Sequence, residues 1–225
     1  MDSAPVKPKA FFSRRWLVPI VIFGGALILF ATKSCSLAIR SRQVSGEKDG
    51  VSNARQIGLS LKEFAKKHGD FPGDSTAARF GGDMKPAYVF SGSSSNAAFR
   101  QLFASEITLS ERMFHARISG AIQPDDIITP GEALKKGEVG FSYISGLSPK
   151  DDPLTPIVLT PLIPGTTKFD PKPFGGRAIV LFTDNTVRAY QIKKDGHIYD
   201  KGINLLSEKH PVWKGNPPDI RYPDL

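Results

Sequence analysis

Four histidines, at positions 68, 115, 197 and 210, and a single cysteine, Cys35, are the side chains best suited to nucleophilic or metal chemistry. One cysteine allows no intrachain disulfide and no cysteine-rich zinc site, and the histidines are too far apart in sequence for a helical metal pair. His68 follows a helical stretch, His115 stands near a helix end, His197 follows Lys194-Asp195-Gly196, and His210 precedes Pro211. Each reads as structural or solvent-facing. A Gly-x-Ser-x-Gly nucleophile elbow is missing, so the serines of Gly92-Ser-Ser-Ser95 make a loop rather than a nucleophile. Gly81-Gly82 and Gly175-Gly176 lack the lysine and helix signature of a phosphate loop. The adjacent carboxylates Asp125-Asp126 and Asp151-Asp152 lack the alternate spacing of a calcium loop and read as solvated loop acids. The sequence therefore assigns no catalytic, cofactor-binding or metal-ligating residue, and the expectation is a protein that is not an enzyme and carries no cofactor, the alternative being a membrane-anchored extracytoplasmic binding module or enzyme whose site is not recognisable from these residues.

Charge leads to a similar exclusion. The net charge of +8 divides into +4 over residues 1–35 and +4 over residues 36–225, where acids and bases are mixed. Nucleic-acid binding needs lysines and arginines clustered on one face, and no such cluster stands out. With 40% hydrophobic and 23% charged residues, the 225-residue chain can bury a core and is not disordered as a whole.

The strongest physical signal is Trp16 to Thr32, WLVPIVIFGGALILFAT, which carries no charge over 17 residues and is bracketed by Arg14-Arg15 and Lys33. As a helix it spans about 25 Å, enough for the short end of bilayer-crossing segments. Trp16 occupies an interfacial position, the flanking basic side chains can snorkel, and Pro19 falls in the first turn. The residues after the apolar run, Thr32-Lys33-Ser34-Cys35-Ser36, match neither a signal-peptidase site nor a lipobox. The expectation is a retained signal anchor, with the short basic tail inside and the C-terminal domain extracytoplasmic.

Elements that would position any site follow from periodicity. Ser41 to Gly50 is polar and reads as a break or a loose helix continuation. Ser52-Asn53 is a candidate cap for a helix in which Ala54, Ile57, Leu61, Phe64 and Ala65 make one apolar stripe, ending at Gly69. A second helix covers Asn96–Ala104, with Phe99, Leu102 and Phe103 inward; Ser110–Phe114 adds a turn, and Gly131–Lys136 a short helix. Strands are expected at 140–145, at 156–160 (edge-like, between prolines), and at 177–183 and 186–192, joined by a two-residue Asp184-Asn185 turn. The 177–183 strand is apolar on consecutive residues, which calls for cover on both faces. Residues 216–225 are too proline-rich for either period. The domain plan is a 1–15 basic tail, a 16–32 transmembrane helix, a 33–52 juxtamembrane linker or helix continuation, a 53–215 α+β domain, and a 216–225 proline-rich tail.

The stretch Asn53-Ala-Arg-Gln-Ile-Gly-Leu-Ser-Leu-Lys-Glu-Phe-Ala-Lys-Lys-His-Gly-Asp-Phe-Pro72, behind an apolar segment, resembles type II secretion pseudopilin-like proteins of the planctomycete and verrucomicrobial type. Asn96-Ala-Ala-Phe-Arg-Gln-Leu-Phe103, Pro130-Gly-Glu-Ala-Leu134 and Arg177-Ala-Ile-Val-Leu-Phe-Thr-Asp184 extend the resemblance, which covers residues 50–215. It implies a pseudopilin-like α+β fold, an amphipathic helix on a small antiparallel sheet. It also implies a bacterial inner membrane as the location and a structural or interaction role, with the lipid bilayer and protein components of a secretion or pilus-like assembly as partners. In one respect the chain departs from that type. Phe11 to Pro19 holds no prepilin cleavage motif, and Trp16 to Thr32 contains no glutamate to pair with a neighbouring subunit's amine.

Overall fold

The computed structural model describes residues 17–83, 88–90 and 92–225, apart from the side chains of residues 17–36 and 80–83. The chain divides into two compact units, Met1–Arg42 and Gln43–Leu225. The expected basic tail, and the side chains of the apolar stretch Trp16–Thr32, lie outside the described residues. Among the described residues, no helix is long and apolar enough to cross a membrane.

Helix α1 covers Leu17–His68 as one element, so the 33–52 segment is helix continuation rather than linker. Ser52-Asn53 is not a cap. Asn53 is interior to the helix, and its Nδ2 donates to Arg112 O at 3.3 Å and His115 O at 2.9 Å. The helix stops at Gly69, whose φ of +89° suits only a residue without a Cβ and whose N–H returns to Ala65 O at 2.8 Å. Lys66, Lys67 and His68 crowd the last turn, where cations favour the helix dipole.

The expected stripe is buried: Ala54, Ile57, Leu61, Phe64 and Ala65 all enter the main core. Beside it runs a second row that periodicity of large residues does not show: Gly46, Gly50, Ala54 and Gly58, four residues apart. A Cβ on Gly50 would sit 2.5 Å from Ile179 Cδ1, and one on Gly58 would collide with Asn185 Oδ1 and lie 2.9 Å from Leu181 Cδ1. At Gly50 and Gly58 the missing side chains make room for β3 and the turn that follows it, whereas Gly46 faces Phe174.

That sheet has the order β4-β3-β2-β1-β7, every neighbour antiparallel. β1 (Ser142–Ser145), β2 (Pro156–Thr160), β3 (Arg177–Phe182) and β4 (Val187–Gln191) form a meander, and β7 (Asp219–Arg221) returns beside β1. β5 (Tyr199–Asp200) and β6 (Ile203–Asn204) make a separate two-stranded ribbon. β3 is covered on both faces, as its composition requires: Ile179 and Leu181 join α1 in one core, while Ala178, Val180 and Phe182 join Leu162, Phe169, Ile198, Leu206 and Trp213 in the other. The fold is thus α+β, a helix packed on a small antiparallel sheet, with C-terminal loops covering the far face.

Helix α2 (Asp74–Asp83) follows the Phe71-Pro72 turn, and α3 (Ser95–Ala104) is capped by Ser94, whose side chain accepts from Ala97 N–H. The Gly/Ser loop thereby has a definite task, since Ser, Thr, Asp and Asn at this position satisfy an otherwise orphaned amide. Phe99, Leu102 and Phe103 point inward as expected, with the Phe99 ring tilted against Phe114 and edge-on to Tyr143 at ring separations of 4.9 and 5.5 Å.

Four expectations change. β2 is an interior strand, because Pro156 stands at its first residue, where no ladder bond is lost, and Pro161 follows its end. The β3–β4 turn has three residues. Phe182 N–H donates to Thr186 O and Asn185 N–H to Phe182 O, both at 2.9 Å, with Asn185 left-handed at φ +74°. Gly131–Lys136 is a turn rather than a helix, because Gly131 and Leu134 take φ of +87° and +51°. The proline-rich terminus supplies β7, whose Asp219–Arg221 pairs with Ser145–Tyr143.

Candidate functional site

The segment between α3 and β1 has little regular structure and is held by buried polar side chains. Arg100 of α3 donates to Ala133 O and Leu134 O, both at 2.8 Å, and Asn96 Nδ2 to Leu134 O at 3.0 Å. From the other side, Glu111 Oε1 accepts Leu134 N–H at 2.6 Å, and Glu138 Oε2 accepts Lys135 N–H at 2.6 Å. Glu138 Oε1 also accepts Asp125 N–H at 3.3 Å. Three carboxylates converge as a result. Glu111, Asp125 and Glu138 each offer an oxygen within 4.8 Å of the others. Glu111 and Glu138 are buried, and Asp125 is on the surface.

The electrostatics of the three differ. Burial pushes the Glu111 carboxyl above its ordinary value; the Leu134 amide opposes the rise, and the charges of Glu138 and Asp125 reinforce it. Asp125 is held low by Lys135 Nζ, 2.8 Å from its Oδ2, and by the Ile127 amide. Lys135 is raised in turn by Asp125 and Glu132. Asp126 is turned away from the cluster. Burial works to raise its pKa, but the Glu111 amide, the Ser110 hydroxyl and Arg112 together hold it low. Of the two adjacent aspartates, only Asp125 belongs to the convergent set, and the residues that complete it lie more than ten positions away on either side.

A recess of about 480 Å³ lies beside the C-terminal end of α1. Ala65 and Phe71 are apolar residues on its wall, and Lys62, Lys66, Asp151 and Asp184 carry its charge. Lys62 Nζ donates to Asp184 O at 2.7 Å, and Asp151 Oδ2 accepts Ser148 N–H at 2.7 Å, so both groups hold backbone. The lining contains no nucleophile paired with a base. Asp152 likewise accepts Leu154 N–H at 2.8 Å, so this pair of loop acids, Asp152 exposed and Asp151 half-buried, also shapes the local turns.

The histidines do not meet. His115 lines a smaller recess of about 260 Å³ with Arg112, Arg117 and Asn53, and burial followed by the Arg117 charge lowers its pKa. His197 contacts Thr167 O at 3.2 Å through Nδ1, and His210 is buried 3.9 Å from Asp200. His68 ends α1. Cys35 has no described side chain. No protein-family model, curated protein or solved structure matches the chain.

Proposed function

We propose that this chain is a single-pass protein of a bacterial inner membrane whose pseudopilin-like domain works outside the cytoplasm as a structural or interaction module, within a secretion or pilus-like envelope assembly. One observation carries the reading: α1 is a single helix over Leu17–His68, so the uncharged stretch and the sheet-packing stripe belong to one element. A helix whose N-terminal part is all apolar and whose C-terminal part is amphipathic suits lipid followed by a protein core. An antiparallel meander on the amphipathic half is the arrangement that the resemblance to pseudopilins implies.

The missing prepilin motif leads to a membrane anchor retained with its basic tail rather than a processed subunit. Membranes washed with carbonate retain the full-length chain, and N-terminal sequencing recovers the unprocessed start. Replacing Phe23 and Ala26 by arginine places two charges at the centre of the span, each costing about 3 kcal/mol, and shifts the protein to the soluble fraction. A wild-type chain found in the high-speed supernatant with its first residues intact would overturn the proposal. Recovery of a cleaved, N-methylated start would instead favour filament-type processing.

A further inference from the structure

Glu111 and Glu138 are two fully buried acids whose recorded hydrogen bonds come only from backbone amides: Leu134 N–H to the first, and Asp125 and Lys135 N–H to the second. Among the described residues neither forms an ion pair. Two fixed cations stand nearby without bonding either glutamate: Arg100, whose charge acts on Glu111 and Glu138 while its guanidinium donates to main-chain carbonyls, and Lys135, which bridges Asp125 and Glu132 at the surface. A separate observation points to a missing ligand. The second oxygen of Glu111, Oε2, is buried without any hydrogen-bond partner, on a residue with 0% exposure. An orphaned buried carboxylate oxygen is costly.

We propose that Glu111, Asp125 and Glu138 are the protein ligands of a divalent cation of the hard, oxygen-seeking kind, with water completing its shell. Oxygens bound to one calcium ion at about 2.3–2.6 Å lie at most about 5 Å apart, which accommodates three ligand atoms within 4.8 Å of one another. The cation neutralises two of the three charges and gives the Glu111 Oε2 atom the partner it lacks. A proton shared by the buried pair would relieve only one charge and leave the surface carboxylate of Asp125 outside the arrangement. Asp125, being at the surface, gives solvent access to the site. The ion would tie the segments at 111, 125 and 138 together between α3 and β1, a stabilising role independent of whether the chain is membrane-bound.

Full-length protein in detergent, stripped with EDTA and dialysed, is titrated with calcium chloride at pH 7 and followed by calorimetry and thermal unfolding. One equivalent binds, and at a hundredfold excess over Kd the melting temperature rises by about 5 °C. Asp125→Asn, at an exposed position, and Glu111→Gln, which keeps an oxygen for the Leu134 amide, each reduce the rise to less than half. An unchanged wild type, or variants that respond as fully as wild type, overturns the site. Stability that increases on acidification in wild type but not in Glu111→Gln, with no response to calcium, assigns the pair a shared proton and overturns it equally.

Discussion

His210 shows how one buried side chain couples the fold to pH. It is 7% exposed, its Nδ1 is buried without a partner, and its Nε2 is 3.9 Å from Asp200. Burial lowers its pKa below 6.5, outweighing the opposing Asp200 charge, with Lys201 adding to the depression. The folded chain therefore binds this proton less readily than the unfolded chain. The stability it contributes is present above pH 6.5 and is lost as the pH falls below that value, with His115 and His68 acting in the same direction. Glu111, raised by burial, acts in the opposite direction, so the test is a comparison: between pH 7.5 and pH 5 the urea midpoint of His210→Leu shifts less toward destabilisation than that of wild type. An equal difference in the variant would remove His210 as a cause. The sequence marked His210 only by the proline after it; its burial comes from the far-face core that Trp213, Leu205 and Leu206 build around it.

Helix α1 meets the sheet through glycines whose spacing is legible but whose purpose is not. The same substitution should have opposite effects along one row. Gly46→Ala meets Phe174 at 3.6 Å, an ordinary contact, and gains up to about 1 kcal/mol from helix propensity. Gly58→Ala collides with Asn185 and crowds Leu181; overpacking of about 1–3 kcal/mol outweighs that gain. Gly140, just before β1, has a neighbour less able to move. A Cβ there meets the backbone of Ala116 at 2.5 Å, and backbone cannot swing aside, so Gly140→Ala costs about 3 kcal/mol or more. Denaturant unfolding of the three variants tests the order, Gly46→Ala most stable and Gly140→Ala least. Large apolar residues announced the buried stripe because their spacing is itself the signal. A glycine row carries no hydrophobic signal and acquires meaning only when a strand lies against it.

For the molecule as a whole, the C-terminal ten residues hold more together than their composition suggests. β7 pairs with β1, Arg221 Nη2 reaches Asp74 Oδ2 at 2.9 Å, and Gly137 N–H donates to Asp224 O at 2.6 Å. Asp224 N–H donates to Asn96 Oδ1 at 3.0 Å, linking the terminus to α3. Removing residues 216–225 uncovers the β1 edge and unties the turn beside the carboxylate cluster. The melting temperature falls by about 10 °C and the 120–138 segment becomes the first site of limited proteolysis. Retained stability in the truncated chain would show the terminus to be dispensable.

The amino-acid order alone fixed the amphipathic stripe, α3, the four meander strands and the need for cover on both faces of β3, because each rests on a short-range repeat of apolar side chains. It could not set the interior place of β2, the role of the prolines around β7, or the meeting of Glu111 with Asp125 and Glu138. Those depend on which distant segments come into contact. Prolines disguise a strand until its neighbour is known, and loop carboxylates separated by more than ten residues share no period from which their convergence could be read.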